Sequence, residues 1–413
     1  MTSDNVKRHC MVVHAYYPLG ETRVEREAMA LMERGYEVDV LCLRDDGESA
    51  TEVVDGVQTY RLPVRRHRGR GLVVQLFEYL AFFMLVVLKL FSLQGRRAYG
   101  TVQCHNLPDF LIFAAFWPRL RGARLILDLH DLMPDFYAAR FGGRMDSLPV
   151  RLVLLQERLA CRFAHRVITV TELWRQTLIE RGVPADKIAV VMNVPDAAYF
   201  HRQAPSGPAA SPDQAFELIY HGTLTPRYGV DLIIRALAQI DRPVRLTILG
   251  DGDHRDELLA LTAELGLESR VTFSDGFMPT GQLPDRIRRA DAGVVPNRDD
   301  LFTGALLPTK LLEYICLGLP VIAARTPAIR ATFDESMMAF FTPGDVADLA
   351  RQIEALSRDP ARRAALVANT EPFYLQHSWS QVARAYASLV DGLQPGAGRA
   401  GYTPARAANR EVG

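Results

Sequence analysis

Short apolar runs alternate with helical patterns along most of the chain. Helical spacing of apolar residues marks RVEREAMALMERG, which stands between the apolar runs CMVVHAYY and YEVDVLCLR. The same order continues in TVQCHN, LPDFLIFAAFWPRL, ARLILDLHD, RLVLLQERLACRFA and HRVITVT. Continuous apolar strands separated by helices are typical of a parallel sheet that is covered on both faces. The pattern predicts an α/β domain over residues 1–197.

A second domain follows a break in this pattern. The stretch HRQAPSGPAASPDQ is aperiodic and rich in Pro, Ala and Ser, so a linker is predicted at 198–215. Strand and helix then alternate again over residues 216–370. A closing helix at 371–394 belongs to either domain, and a tail at 395–413 is expected to be flexible. We predict two doubly wound, Rossmann-like domains that face one another across a cleft, with ligands at the carboxyl ends of the strands.

Charge and cysteine content narrow the classes of partner. Lys plus Arg equals Asp plus Glu at 48 each, so no global field favours nucleic acid. The five cysteines are scattered and form no CxxC pair, which argues against a disulfide framework and a zinc site. No secretion signal is apparent at the first strand. We expect a cytoplasmic protein without a metal or another cofactor.

One apolar segment, at 72–93, is flanked by the basic sequences RRHRGRG and GRR. Its length approaches the roughly 20 residues that span a bilayer. A spanning helix would split the strand order of the first domain across the membrane. We therefore expect a helix that lies on the inner face of the cytoplasmic membrane against anionic lipid, with a buried core helix as the alternative. Its polar side chains fall within one arc of the helix: Gln75, Glu78, Lys89 and Ser92.

The segment from Asp291 to Ala324 reads strand, loop, helix, Gly-Leu-Pro, strand. This order brings the loop 297–309 and the start of the helix at Lys310 to the ligand edge of the sheet, where free backbone N–H groups suit a phosphate. Glu313 stands one turn into that helix. Its carboxylate either accepts hydrogen bonds from a pair of ribose hydroxyls or is simply a favourable acid in the first turn.

In the first domain, polar residues follow two apolar strands. His130 and Asp131 come after LILDL, and His105 comes at the end of TVQCH. The carboxyl ends of parallel strands meet at one edge of a sheet, so these side chains are predicted to lie at the mouth of the site.

The opening loop YYPLGETRVERE has one glycine and does not match the dinucleotide fingerprint G-x-G-x-x-G. Gly20 can still bring its backbone close to a donor phosphate. Arg23 either contacts phosphate or acceptor, or pairs with Glu27 within its helix.

Taken with HGTLTPRYGVDLIIRA, LTILGDGD and VVMNVPD, the segment 291–324 resembles the nucleotide-binding half of the retaining glycosyltransferase family 4, which has the GT-B fold. The resemblance extends over nearly the whole chain. It implies a nucleotide-sugar donor whose ribose is bound by Glu313, and it places His130 near the transferred sugar. His105, Asp131 and Arg23 are then candidates on the acceptor side. The donor-binding residues implied are Asn193, Gly222, Gly250, Leu307, Pro308, Thr309 and Lys310.

This sequence departs from the family pattern at three positions. Ala305 stands where the family has the first glutamate of its pair, and Thr223 and Tyr228 stand where the family has an arginine and a lysine for the pyrophosphate. We assign the pyrophosphate to Arg227, with Lys310 as the second candidate.

The resemblance implies metal-independent transfer of a hexose from a UDP- or GDP-sugar to an acceptor on a polyprenyl diphosphate, in the synthesis of a bacterial cell-surface polysaccharide. Two alternatives stay open. The first is a nucleotide-sugar epimerase or hydrolase on the same fold. The second is a non-catalytic nucleotide-sugar-binding protein, which the three departures favour.

Overall fold

The computed structural model describes residues 6–18, 21–66, 71–140, 144–202, 215–276 and 278–394. The chain forms two compact units, Met1–Asn193 together with Val382–Gly413, and Val194–Gln381. Most of the predicted linker and all of the predicted tail lie outside the described residues.

The first unit is built on an eight-stranded sheet in the order β3-β4-β2-β1-β5-β6-β7-β8. All neighbouring strands are parallel except the β3–β4 pair, which is antiparallel. The strands are β1 (Arg8–Tyr16), β2 (Glu37–Leu43), β3 (Thr51–Val54), β4 (Val57–Leu62), β5 (Thr101–His105), β6 (Arg124–Leu129), β7 (Arg166–Thr169) and β8 (Ile188–Val190).

Helices connect these strands, as the alternating pattern predicts. They are α1 (Thr22–Met32), α2 (Leu72–Arg97), α3 (Phe116–Leu120), α4 (Met133–Arg140), α5 (Leu148–Phe163) and α6 (Glu172–Glu180), with short 3-10 turns at Asp109–Ala115 and Ala185–Lys187. The chain steps from β1 to β2 in one direction across the sheet and from β4 through β8 in the other. Because crossover connections are right-handed, α2 to α6 lie on one face of the sheet and α1 lies on the opposite face.

The second unit has a six-stranded, fully parallel sheet in the order β11-β10-β9-β12-β13-β14. Its strands are β9 (Phe216–His221), β10 (Val244–Leu249), β11 (Val271–Phe273), β12 (Ala292–Val295), β13 (Val321–Ala324) and β14 (Ala339–Phe341). Its helices are α7 (Val230–Leu237), α8 (Arg255–Glu264), α9 (Leu283–Ile287), α10 (Thr309–Leu317), α11 (Pro327–Arg330), α12 (Val346–Arg358), α13 (Pro360–Asn369) and α14 (Glu371–Gln376), with 3-10 turns at Pro226–Tyr228 and Thr280–Gln282. Two parallel-sheet, Rossmann-like units confirm the predicted fold class.

The closing helix, α15 (Trp379–Asp391), packs on the first unit from Val382 onward. Tyr386 is fully buried there and donates a hydrogen bond of 2.7 Å to Oε1 of Gln103 on β5. Asp391 accepts from Lys7 and Tyr36, each at 2.7 Å. These contacts settle which unit holds the end of the helix, a point that periodicity left open.

Helix α2 is partly a core helix, which corrects the sequence analysis. It continues to Arg97, and a buried stripe of apolar residues packs it onto the sheet: Tyr79, Phe82, Val86, Leu90 and Leu93. Two members of the predicted polar arc do not form a solvent face. Glu78 is buried, and the ammonium of Lys89 lies 4.2 Å from the ring centroid of Tyr60. Val73–Arg97 is long and apolar enough to cross a membrane, and 33% of its most apolar 18-residue stretch is buried.

Helix α10 packs closely against β12 at Gly293. A Cβ atom at Gly293 would lie 2.4 to 2.6 Å from three ring carbons of Tyr314, whose side chain is fully buried. Such a distance requires the ring, and the helix that carries it, to shift. A glycine at position 293 therefore allows α10 to approach the sheet.

We expect Gly293→Ala to lower the free energy of unfolding by about 1–3 kcal/mol, because the added methyl overpacks the contact with Tyr314. Urea unfolding of the variant and the wild type measures this change. Gly95→Ala in α2 is the matched control, because its Cβ meets no atom within 4 Å and alanine favours a helix by roughly 0.5–1 kcal/mol. An unchanged midpoint for Gly293→Ala would show that α10 does not depend on this contact.

Candidate active site

Two glycine turns stand side by side at the carboxyl ends of β9 and β10. Gly222 and Gly250 have φ values of +118° and +148°, which other residues rarely adopt. A Cβ atom at Gly250 would lie 2.0 Å from the carbonyl oxygen of Gly222. The two predicted donor residues are therefore in contact, and position 250 requires a glycine because the backbone of Gly222 fills the place of a side chain.

Glu313 lies in the first turns of α10, directly beside the end of β9. Its carboxylate is hydrogen-bonded to Nε2 of His221, the last residue of β9, and the other ring nitrogen of His221 lies 3.0 Å from the hydroxyl of Tyr314. The side chain of Glu313 retains 17% of its surface exposed, whereas His221 retains 5%. His221 thus fixes the orientation of a carboxylate that still faces solvent.

Lys310 occupies the same corner. Its ammonium donates a hydrogen bond of 2.7 Å to the hydroxyl of Tyr220 and lies 4.7 Å from the ring centroid of Tyr228. It lies 3.3 Å from the place where a Cβ atom of Gly222 would be. Burial lowers the pKa of Lys310 to about 7, and the nearby charge of Glu313 acts in the opposite direction. A buried ammonium beside a glycine turn is suited to bind an anion, and the lowered pKa means that it is mainly charged only below about pH 7.

The other predicted donor residues surround α10 and the loop before it. Leu307 and Pro308 are buried, and Thr309 is exposed at the first position of the helix. The guanidinium of Arg227 is half-exposed and lies 5.4 Å from the ring centroid of Phe302. The structure thus brings both pyrophosphate candidates, Lys310 and Arg227, to the loop that follows β9.

A cavity of about 420 Å³ opens beside the second glycine turn. The hydroxyl of Ser274 in its wall accepts a hydrogen bond of 3.0 Å from the backbone N–H of Gly250. Its lining comes mainly from the ends of β10 and β11 and from the residues after them: Thr247, Leu249, Phe273, Ser274, Met278 and Arg286. Its volume is within the usual range for a small-molecule site.

In the first unit, His130 and Asp131 lie at the end of β6, as predicted. The backbone N–H of His130 donates to Oδ1 of Asn106 at 3.0 Å, and Nδ2 of Asn106 donates to the carbonyl oxygen of Asp131. Nδ1 of His130 lies 3.8 Å from a carboxylate oxygen of Glu21. Burial raises the pKa of Asp131 to about 6. Asn106 therefore ties the loops after β5 and β6 together, and His130 faces Glu21.

His105 lies beside His130, with 6.1 Å between the ring centroids, but His105 is enclosed beneath it. Its side chain is completely buried, with Nδ1 at 3.1 Å from Oδ2 of Asp128. Burial, as the largest influence, lowers its pKa. The prediction that His105 lines the acceptor side is wrong, because no ligand reaches a side chain enclosed in this way.

Arg23 is likewise structural, which corrects its placement among the acceptor-side candidates. Its guanidinium contacts Asp128 at 2.9 Å and Glu27 at 3.0 Å, and it donates to the carbonyl oxygen of Val191 at 3.1 Å. All three charged side chains are almost fully buried. Opposing the effect of burial, the charge of Arg23 lowers the pKa of Asp128. The pairing with Glu27 that the sequence allowed is thus the one the structure shows.

Glu27, His105 and Asp128 also lie close enough together to share a cation, since one ligand atom of each falls within 4.8 Å of the others. Arg23 already supplies positive charge to both carboxylates. We therefore interpret this cluster as part of the fold.

Two predicted residues remain. Asn193 is half-buried at the end of the first unit, where its Oδ1 accepts a hydrogen bond of 2.9 Å from Arg26. Gly20 lies outside the described residues.

The sequence analysis missed three residues that the structure adds: His221, Tyr220 and Glu21. His221 and Tyr220 stand at the end of an apolar strand, and the end of an apolar strand is the signal that singled out His130. Glu21 precedes α1 and carries no distinguishing pattern in the sequence.

Comparison with known families gives an independent result. The family model for a glycosyl transferase 4-like domain matches residues 20–194, and the model for glycosyl transferases group 1 matches residues 204–372. This chain is a glycosyltransferase of the family 4 type. The glycosyltransferase is therefore an enzyme of the hexosyltransferase class.

Individual relatives resemble the glycosyltransferase over most of its length. A chitobiosyldiphosphodolichol beta-mannosyltransferase of Candida albicans is 24% identical over 70% of this chain and 67% of its own. A 2-deoxystreptamine glucosyltransferase of Streptomyces kanamyceticus is 26% identical over 83% and 90%. The crystal structure of Anabaena HepE in complex with UDP-glucose matches with a TM-score of 0.69 at 18% identity, covering 93% of this chain and 99% of its own.

We expect Arg23→Met to destabilise the glycosyltransferase by about 3–5 kcal/mol, because it leaves the buried carboxylates of Asp128 and Glu27 without their cation. Chemical denaturation measures this loss. Arg26→Gln is the matched control, since it removes a neighbouring arginine that is hydrogen-bonded to Asn193. If Arg23→Met leaves stability unchanged and instead raises KM for the acceptor, the residue is an acceptor contact after all.

Proposed function

We propose that this enzyme transfers a hexose from a UDP- or GDP-sugar to a lipid-linked saccharide at the inner face of the cytoplasmic membrane. Transfer retains the anomeric configuration and needs no metal ion. The observation that carries the proposal is the corner formed by Glu313, His221 and Lys310 beside the Gly222 turn.

Each group in this corner suits one part of a nucleotide-sugar. Glu313 is a carboxylate acceptor for two adjacent ribose hydroxyls, and His221 restricts its rotamers so that little freedom is lost on binding. Lys310 and the N-terminus of α10 provide positive charge for the diphosphate. The cavity beside Gly250 accommodates the base. The UDP-glucose bound to HepE, a protein of the same fold, supports this class of donor.

Lys310 also accounts for the departure at Tyr228. Its ammonium lies over the rings of Tyr220 and Tyr228, at 4.1 and 4.7 Å from their centroids. The ammonium of Lys310, on α10, thus lies beside the position at which the family pattern has a lysine. We assign the diphosphate first to Lys310, reversing our order of preference, and second to Arg227, whose half-exposed guanidinium stands on the same loop.

In the chemical step, the bond between C1 of the sugar and the diphosphate oxygen breaks, and the acceptor hydroxyl oxygen attacks C1 from the same face. The hydroxyl proton passes to the departing phosphate oxygen, so no protein nucleophile is required. The protein contributes position and charge where the leaving group becomes more negative. We assign contact with the reacting sugar to His130, oriented by Glu21 and Asn106, and contact with the acceptor to Asp131.

The acceptor class rests on two supports. The outward face of α2 is apolar, as expected of an enzyme that works at a membrane. The Candida albicans relative acts, by its name, on a dolichol-linked substrate. The Streptomyces kanamyceticus relative uses a small aminocyclitol, which makes a water-soluble acceptor the alternative that an experiment has to separate.

The direct test offers UDP- and GDP-sugars to membrane-bound enzyme in EDTA and follows label into organic-extractable lipid. We expect transfer from one donor, with retention shown by the anomeric coupling of the product. Label that appears only with added metal would contradict metal independence. A product of inverted configuration would contradict retention. Nucleotide release without labelled lipid, followed by transfer to a soluble sugar, would favour the water-soluble acceptor.

We expect Glu313→Gln to weaken donor binding roughly 10- to 100-fold, because a charge-assisted hydrogen bond contributes about 1.5–3 kcal/mol. Calorimetric titration with the preferred donor measures the affinity. Glu264→Gln, at an exposed position of α8, is the matched control and should bind as the wild type does. Equal affinities for the two variants would remove Glu313 from the ribose site.

Donor affinity should also depend on pH through Lys310. Its pKa in the free protein is about 7, and the diphosphate binds the protonated form. Donor affinity is therefore highest below pH 7. Above pH 7 it falls by up to about tenfold per pH unit. Titrations with an intact nucleotide-sugar should show this slope in the wild type, constant affinity in Lys310→Arg and weak binding at every pH in Lys310→Met. A flat wild-type profile would exclude Lys310 from the diphosphate site.

A further inference from the structure

The outward face of α2 is unusually apolar for a surface helix. Every exposed residue between Val73 and Phe91 is apolar, and the large ones include Val73 and Phe77, each 68% exposed, and Leu88, 64% exposed. A contiguous apolar surface of this kind marks an interaction site. The inward stripe of the same helix is buried, so α2 cannot cross a bilayer without uncovering part of the core.

A second apolar stripe lies on α5, which the sequence analysis treated only as a connecting helix. Its members recur at spacings of three and four and are 49% to 70% exposed: Leu148, Leu152, Leu155 and Leu159. Three exposed arginines accompany the stripe: Arg151, Arg158 and Arg162. The single acid of the helix, Glu157, is buried and paired with Arg181 at 3.0 Å.

Helix α3 connects the two stripes. Trp117 of α3 lies 4.8 Å from Phe91 of α2, measured between ring centroids. Arg119 of α3 donates a hydrogen bond of 2.8 Å to the carbonyl oxygen of Phe163, the last residue of α5. Phe116 and Leu120 add exposed apolar surface between them, at 56% and 62%. These contacts of α3 with α2 and with the end of α5 bring the outward residues of the three helices next to one another.

The charges around this surface identify its partner. The exposed residues of α5 are four leucines, three arginines and a proline, with no exposed acid on that helix, and Arg121 is exposed just after α3. The exposed acid that precedes α5, Asp146, is paired with Arg144. A second copy of the chain would bring these arginines against one another. Anionic phospholipid instead offers hydrocarbon for the leucines and negative headgroups for the arginines.

We propose that α5 is a second membrane-docking helix, and that α2, α3 and α5 form one surface that lies on an anionic bilayer. Two helices in one plane define the orientation of the first unit on the membrane, whereas a single helix leaves rotation about its axis free. This inference extends the proposed membrane location of the enzyme but does not depend on the donor or the acceptor.

Sedimentation with vesicles of phosphatidylcholine and phosphatidylglycerol tests the proposal in the full-length protein. We expect Leu152→Gln with Leu159→Gln to weaken binding by about tenfold or more, because each leucine loses favourable burial in the bilayer. The control pair Leu259→Gln and Leu375→Gln changes exposed leucines of the second unit, on α8 and α14, and should bind as the wild type does.

A second set of variants tests the charges. Replacing Arg151, Arg158 and Arg162 with glutamine should weaken binding by about fivefold per arginine at low ionic strength, and the difference should shrink as salt is added. Vesicles of phosphatidylcholine alone should not distinguish this variant from the wild type.

Two results would overturn the proposal. The first is vesicle binding by the α5 leucine pair that equals that of the control pair. The second is loss of self-association in sedimentation velocity with unchanged vesicle binding, which would assign the surface to a second copy of the chain. Donor affinity, measured on the same variants, reports folding and the transferase site separately. If a variant shows no change in vesicle binding but binds the donor normally, the docking surface is contradicted and the proposed reaction is not.

Discussion

The position of α10 on β12 is the constraint on which the proposed donor site depends. Tyr314 lies over a glycine, so the helix approaches the sheet closely enough for the Tyr314 hydroxyl to reach His221. His221 in turn orients Glu313, and the same helix carries Lys310 to the turn after β9. This core contact therefore helps to position both the carboxylate that we propose for ribose and the cation that we propose for diphosphate. A site of this kind is already ordered before its ligand arrives, which reduces the entropy lost on binding.

The first unit uses its charged residues differently. Arg23, Glu27, His105 and Asp128 are enclosed beneath the strand ends, where each is compensated by a neighbour. This buried network supports the loop that carries His130, so that the candidate catalytic group is positioned by a core of polar contacts. Charged and histidine side chains beneath the strand ends thus stabilise the fold, whereas those at the strand ends are candidates for the site.

The apolar surface of α2, α3 and α5 links the fold to the proposed location of the reaction. Helix α2 has two apolar faces, and the sheet covers one of them. A soluble protein rarely leaves the other exposed to water at this size. A membrane-bound position would place a lipid-linked acceptor beside the enzyme without requiring it to leave the bilayer, which makes the location and the proposed acceptor mutually consistent.

The sequence by itself determined the fold class and the positions of Glu313, Lys310 and His130 at strand and helix ends, because such placement follows from a local pattern of apolar runs and turns. The enzyme class came from the resemblance of its motifs to a known family. It did not distinguish the two roles of Arg23 or show that His105 is enclosed, since both outcomes depend on Asp128, which is distant along the chain from Arg23 and His105. Nor did it show that Tyr228 stands beside Lys310, or that α5 shares a surface with α2. Those outcomes depend on which elements pack together, and only the tertiary structure brings such residues within hydrogen-bonding or van der Waals distance.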